Sequence, residues 1–228
     1  MKNVIIIGIS GRMGKYVHTI LDGKQGYNVV AGIDRNSEFC RVGTYSNIKQ
    51  ILNGDIDLVI DCSNRTKKDK IISAIKKGVP VLSGTTGYSE DEKNELISIA
   101  KENNTSLMLV SNFAYGASVM YKILKELANE FETKDILEVH HVKKKDKPSG
   151  TAKEYAKIMN VDIAKVQSIR LNDVIASHEA IFDSPGEKLI IRHEIYHRDA
   201  FLKGMNKSLD VILNKKIWVS GLEQYNKI

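Results

Sequence analysis

Residues 4–14, Val-Ile-Ile-Ile-Gly-Ile-Ser-Gly-Arg-Met-Gly, set a run of β-branched residues against a loop punctuated by three glycines. Val4 to Ile7 have the composition of a strand buried on both faces, because parallel sheets covered by helices carry unbroken apolar runs. A helix follows, through about Leu21. Strand, glycine loop and helix in that order form the context that a dinucleotide-binding fingerprint requires. In that reading Gly8 permits the tight turn, Gly11 lets the backbone approach a pyrophosphate, and Gly14 lets helix and strand pack closely. The spacing is G-x-x-G-x-x-G, with Ser10 where many such loops carry glycine. The loop alone decides nothing, so support must come from its surroundings.

The next strand supplies it. Val29 to Ile33 runs into Asp34, which falls ~20 residues after the loop, where an acidic side chain can hold the adenosine ribose hydroxyls. A carboxylate there favours NADH, whereas Arg35 and Arg12 are able to accept the extra phosphate of NADPH. Further units of the same kind follow: a strand over 58–62, a helix over 67–77 with Ile71, Ile72 and Ile75 inward, and a strand over 79–82 ending at Ser83-Gly84-Thr85-Thr86-Gly87. Ser89 and Glu92 have the spacing of a capping box for a helix through Asn103, and Leu107 to Val110 make the next strand. Alternation of this length predicts an α/β fold with a Rossmann-like, doubly wound parallel sheet whose ligands bind at the carboxyl ends of the strands.

Beyond residue 112 the pattern changes. Met120, Ile123, Leu124, Leu127, Ala128 and Phe131 predict one apolar stripe on a helix over 117–131. Glu138 to Ala152 reads EVHHVKKKDKPSGTA. Ile136, Leu137 and Val139 end a strand, and Thr151 to Met159 form a short helix that Ser149 or Thr151 can cap. His140, His141 and Lys144 are thereby expected on a strand-to-helix loop, beside free N–H groups that attract anions. The runs 174–182 and 188–197 read as two strands joined at Ser184-Pro185-Gly186-Glu187, a turn with Pro and Gly in type II positions. That hairpin gives the second region an antiparallel or mixed sheet, and residues 205–213 with Trp218 return to the first. The expected division is a dinucleotide-binding domain of residues 1–112 with 200–228, and a smaller α+β substrate and oligomerisation domain of residues 113–199.

The segment Glu138, His140, Lys144, Asp146 and Pro148 through Ala152 resembles, residue for residue, the signature of the dihydrodipicolinate reductases (4-hydroxy-tetrahydrodipicolinate reductases). These are NAD(P)H enzymes of diaminopimelate and lysine synthesis. The GRMG loop and the Asp34-Arg35 pair are similar to the same family, as are Gly84-Thr85-Thr86-Gly87 and Ser111-Asn112-Phe113-Ala114. The resemblance implies reduction of a cyclic, unsaturated dicarboxylate by NADH, NADPH or both, with hydride from the nicotinamide and a proton added alongside. It implies His140 as proton donor and Lys144 as the second catalytic residue. Substrate contacts fall to His141, Lys144, Ser149, Gly150 and Thr151. Cofactor contacts fall to Gly8, Ser10, Gly11, Arg12, Met13, Asp34, Arg35, Gly84, Thr85, Thr86, Ser111, Asn112 and Phe113. It implies a homotetramer as well. Asp146 is expected to orient the loop. Tyr115, Asp135 and Lys147 depart from the family pattern without removing a catalytic group.

Composition bounds the alternatives. The chain has 228 residues, 42% apolar and 27% charged, as in a folded globular protein. No apolar run approaches the ~20 residues of a membrane span, and no signal-peptide pattern opens the chain, so a cytoplasmic protein is expected. Cys40 and Cys62 lack metal or disulfide spacing. His178, His193 and His197 have no carboxylate or cysteine at matching spacing, so no metal is expected. The net charge of +6 is spread along the chain without a nucleic-acid motif, and it suits anionic ligands. A semialdehyde dehydrogenase would need a nucleophilic cysteine in a catalytic loop. A redox-sensing regulator would keep the glycine loop but not His140, Lys144 and Ser149 to Thr151 together.

Overall fold

The computed structural model describes residues 1–34, 44–45, 47–48, 51–52 and 54–224. Arg35 and Cys40 lie outside these. The chain forms two compact units, Met1–Ser111 with Met205–Gly221, and Asn112–Gly204 with the stretch from Leu222.

The first unit is built from β1 (Lys2–Ile7), α1 (Arg12–Asp22), β2 (Tyr27–Ile33), β3 (Thr44–Tyr45), β4 (Leu58–Asp61), α2 (Lys68–Lys76), β5 (Val81–Ser83), α3 (Glu90–Glu102) and β6 (Leu107–Leu109), with β11 (Trp218–Ser220) added from the far end of the chain. Its seven-stranded sheet has the order β11-β6-β5-β4-β1-β2-β3 and is parallel throughout, as the unbroken apolar run of residues 4–7 requires. Reversal of strand order between β1 and β4 opens a crevice at their carboxyl ends. Ile5, Ile7, Val59, Val81 and Leu107 pack beneath Ile71, Ala74 and Ile75 of α2 and Leu96 and Ala100 of α3. Each such side chain contributes on the order of 1.5–3 kcal/mol when fully buried. Ser89 Oγ accepts from Glu92 N, and the Glu92 carboxylate accepts from Ser89 N, so the expected capping box forms.

The second unit contains α4 (Tyr115–Leu127), β7 (Thr133–His141), α5 (Gly150–Met159), β8 (Gln167–Leu171), β9 (Ala176–Ser184) and β10 (Glu187–Ile195). Its four strands run β10-β9-β7-β8, with β7 and β8 parallel and the other pairs antiparallel, a mixed sheet. Pro185 and Gly186 make the two-residue hairpin loop. One face of the sheet packs Ile136, Ala180 and Phe182 against Met120 and Leu124 of α4 and Tyr155 and Met159 of α5. The chain then passes back into the first unit within α6 (Leu202–Asn214) and completes that unit's sheet with β11.

Two local expectations need correction, and one strand was not foreseen. The helix expected over 117–131 starts at Tyr115 and stops at Leu127. Its buried stripe centres on Ala117, Met120 and Leu124, which leaves Ile123 at the margin and 39% exposed. His140 and His141 are the last two residues of β7 rather than part of a loop. Pairing of His140 with Ala176 and of His141 with Leu171 carries the ladder past Val139. Finally, β8 has no apolar signature, because its inward positions are Ser168 and Arg170 while Ile169 and Leu171 face outward.

Candidate active site

At the carboxyl end of the first sheet, Ile7, Gly8, Gly11, Ile33 and Asp34 line an open pocket of about 260 Å³, together with Cys62, Ser63, Asn64, Lys67 and Lys70. The glycine loop is compressed against its own strand. Gly8 has φ +76°, and a Cβ on Gly14 would lie 2.1 Å from the Gly8 carbonyl oxygen. Ser10 N donates to Asp34 Oδ2 at 3.1 Å, which ties the loop to the end of β2. Arg12 and Met13 open α1, Arg12 exposed and Met13 half-buried.

Asp61, at the end of β4, is fully buried and gathers the adjoining loops. Its carboxylate accepts from Ser63 N at 3.1 Å, Ser83 Oγ at 2.7 Å and Thr85 Oγ1 at 2.6 Å, and from Ser63 Oγ. Gly84 N donates to the Asp61 carbonyl at 2.8 Å. Thr85 is therefore held inward, and Thr86 is the exposed side chain of that loop. Burial pushes the Cys62 thiol up, and Asp61 beside it adds to the effect. Ser111 follows β6 at the same end of the sheet.

In the second unit, residues 138 and 140 share the inner face of β7, because strand side chains alternate. Glu138 is fully buried. Its Oε2 accepts from Nδ1 of His140, and its Oε1 lies 2.9 Å from Arg170 Nη2 across the β7–β8 pair. Burial alone would raise the Glu138 pKa. Contacts with His140, Ser168 and Arg170 outweigh it and hold the carboxyl at about 2. Glu138 is thus an anion that fixes a proton of His140 on Nδ1.

Arg170 also donates to the carbonyls of Asp146 at 2.7 Å and Lys144 at 3.4 Å, and so pins the loop after β7. Lys144 Nζ sits 2.8 Å from Asp146 Oδ1. Burial works to raise the Asp146 pKa, but the Lys144 ammonium holds the carboxyl below its usual value. His141, of opposite parity to His140, is half-buried.

Behind His140 lies His178, with ring centroids 5.1 Å apart in an edge-on arrangement. Burial, then the neighbouring His140, lowers the His178 pKa to about 3, so this ring stays neutral. Its Nε2 is 3.2 Å from Ser149 Oγ, which also accepts from Ala152 N to cap α5. Ser149 is thereby engaged inside the protein, and Gly150 and Thr151 present the open first turn. Asn112 Nδ2 donates to Thr151 Oγ1 at 3.3 Å, and Asn112 Oδ1 accepts from Ala114 N at 2.9 Å. The Phe113 side chain is buried, which leaves only its backbone for any ligand.

Two family models cover almost the whole chain: dihydrodipicolinate reductase, N-terminus, over residues 2–113, and dihydrodipicolinate reductase, C-terminus, over residues 116–225. The chain belongs to the dihydrodipicolinate reductase family. A 4-hydroxy-tetrahydrodipicolinate reductase of Bacillus cereus is 28% identical over 257 aligned positions, covering 96% of this chain and 97% of that one. In fold, the chain is similar to a dipicolinate-bound dihydrodipicolinate reductase from Paenisporosarcina sp. TG-14, with TM-score 0.82, 24% identity and coverage of 99% and 100%. An aspartate dehydrogenase from Thermotoga maritima shares the fold more distantly, with TM-score 0.57, 15% identity and coverage of 95% and 98%.

The family uses a nicotinamide cofactor, and the first unit fits one. Gly8 and Gly14 pack so closely on backbone that a Cβ would meet Cys62 O at 2.8 Å and Gly8 O at 2.1 Å, which keeps the loop backbone of Gly8 and Gly11 at the pocket wall. Gly8, Gly11 and Asp34 meet in one pocket, with Ser10 hydrogen-bonded to Asp34; Gly84, Thr85, Thr86 and Ser111 stand at the ends of neighbouring strands. In the second unit His140, Lys144, Ser149, Gly150, Thr151 and Asn112 are gathered around β7 and the start of α5. Sequence reasoning passed over Glu138 as a partner of His140, along with Arg170, His178, Asp61, Lys67 and Lys70. Of these only Glu138 had a usable signal, since E-x-H on a strand puts both side chains on one face. That carboxylate also supplies what the metal reading lacked: atoms of Glu138, His140 and His178 lie within 4.8 Å of one another. Arg170 already provides the positive charge beside Glu138.

Proposed function

We propose that this protein reduces 4-hydroxy-tetrahydrodipicolinate to tetrahydrodipicolinate, consuming one NADH or NADPH and one proton and releasing water. The observation that carries the reading is the Glu138–His140 pair standing with Lys144 and the open first turn of α5 in a single unit. Those groups match the needs of a dianionic ring that must be held and protonated. Bound in the first unit, the nicotinamide cofactor supplies the hydride.

The chain's own residues do the rest. His140, oriented by Glu138 through Nδ1, delivers a proton from Nε2 to the ring. Lys144, positioned by Asp146, stabilises negative charge on the reacting enamine. The N–H of Gly150 and the hydroxyl and N–H of Thr151 receive one carboxylate at the helix start, where the aligned peptide dipoles favour an anion. His141 adds a substrate contact, and Ser149 shapes the turn from inside. On the cofactor side, Gly8, Ser10, Gly11 and Met13 cradle the pyrophosphate, Asp34 holds the adenosine ribose, and Arg12 and Arg35 favour an added phosphate. Gly84, Thr85, Thr86, Ser111, Asn112 and Phe113 serve the nicotinamide half, Thr85 and Phe113 through their backbones. Both cofactors are accepted in this reading, and the protein works in the cytoplasm.

The assembly is a homotetramer joined through the outer face of the second sheet. Supporting this, Ile169, Leu171 and Ile190 on that face are 43%, 50% and 51% exposed in the single chain.

The test follows absorbance of NADH and NADPH separately with freshly made 4-hydroxy-tetrahydrodipicolinate. Substrate-dependent oxidation is expected. His140→Ala and Lys144→Ala should each lower turnover on the order of a hundredfold, the scale of a positioned acid–base group. No oxidation with either cofactor would defeat the enzymatic reading, and near-normal turnover in either variant would remove that residue from the chemistry.

A further inference from the structure

The pocket in the first unit carries charge that the glycine fingerprint does not explain. Gly8, Gly11 and the α1 N-terminus serve a pyrophosphate through backbone N–H groups, and Asp34 serves a ribose diol. Neither task calls for lysines. Yet Lys67 and Lys70 line the same pocket from the segment after β4, and with Asp34 they give its described lining residues a formal charge of +1, two cations against one anion. Asp34 alone would repel a phosphate on the ribose.

Lys67 is placed by a built turn. Asn64 Oδ1 accepts from Thr66 N at 3.1 Å, and the Asn64 carbonyl accepts from Lys67 N at 3.0 Å. The turn closes as a short 3-10 segment, Arg65–Lys67, directly before α2. The neighbouring lysine contrasts with it. Lys68 Nζ is paired with Glu95 of α3 at 2.6 Å, whereas among the described residues the half-buried Lys67 ammonium has no carboxylate within ion-pair distance. A cation held at a pocket wall with its charge uncommitted is matched to an anionic ligand group.

We propose that Lys67 joins Arg12 and Arg35 in receiving the 2′-phosphate of the adenosine ribose, and that its charge, opposing the repulsion of Asp34, helps to admit NADPH alongside NADH. The inference rests on the dinucleotide reading of the first unit and deepens it. Because Lys67 sits on a partly exposed turn and makes no ion pair among the described residues, its replacement leaves the fold standing, which circular dichroism verifies.

Binding without turnover isolates the effect. The substrate-free protein is titrated calorimetrically with ADP-ribose and with ADP-ribose 2′-phosphate, neither of which carries nicotinamide. Lys67→Ala should weaken ADP-ribose 2′-phosphate about tenfold or more, the loss expected for one charge-assisted contact, and ADP-ribose less than about twofold. Lys67→Arg should restore most of the difference, since it keeps the charge. Equal weakening of both ligands would overturn the proposal by assigning Lys67 to the pyrophosphate, and so would no change in either. Failure of the unaltered protein to bind ADP-ribose at all would instead overturn the dinucleotide reading beneath it.

Discussion

His140 owes its properties to three neighbours that differ in kind. Glu138 is held ionised at the ring's Nδ1, Arg170 balances that buried charge, and His178 forms a neutral wall behind the ring. Removing one member of a buried charged set leaves its partner uncompensated, at a cost of about 3–5 kcal/mol. This explains why His140, the proposed proton donor, stands among Glu138, Arg170 and His178 rather than alone. His178 gives the arrangement a signature in stability. The unfolded chain takes up a proton at His178 below about pH 6.5, whereas the folded protein refuses one until about 3. Acid therefore favours unfolding across that window, at about 1.4 kcal/mol for each pH unit. Glu138 adds the same sign at lower pH, because its carboxyl protonates first in the unfolded chain. With His178→Gln, urea unfolding should give a flatter stability profile, so that between about pH 6.5 and 5 the native sequence loses up to about 2 kcal/mol more than the variant. Parallel profiles would show that His178 is not kept neutral by the fold.

At the level of elements, the glycine loop is under the tightest constraint. A Cβ at Gly14 would stand 2.1 Å from the Gly8 carbonyl and 2.7 Å from Ile9 Cα, both backbone atoms that cannot swing aside. Gly14→Ala should force α1 away from β1 and lower the thermal midpoint by several degrees or more, with dinucleotide affinity lost in the same variant; an unchanged midpoint would mean the loop has slack. Elements of this kind were legible in the sequence because their signals are local. Val4 to Ile7 announce a doubly covered strand, and Ser89 with Glu92 announces a cap. β8 was illegible for the opposite reason. Its inward residues are the polar partners of Glu138, so its pattern runs against the usual one. Asp61 was hidden likewise. An aspartate at the end of a buried strand gives no sign that Ser63, Ser83 and Thr85, 2 to 24 positions away, will converge on it. Long-range convergence is what a single sequence withholds, and Lys67 and Lys70 joining Asp34 is a second instance.

For the molecule as a whole, the outer face of the second sheet is where the proposed homotetramer can be tested. Light scattering coupled to size exclusion should report a mass near four chains, and Ile190→Asp, which puts a charge on that face, should shift it toward smaller species; a monomer for the native sequence would refute the assembly. Connectivity has a consequence of its own. β11 completes the first sheet at its far edge, and Trp218 Nε1 donates to the Thr105 carbonyl across 113 positions of chain. All of the second unit's strands are made between those two residues. At synthesis rates of roughly 5–20 residues per second, β6 waits roughly 6–20 seconds on the ribosome before its neighbour emerges. During that interval its edge stands open to any extended segment nearby, so the moment of greatest aggregation risk for this chain falls before its last strand has been made.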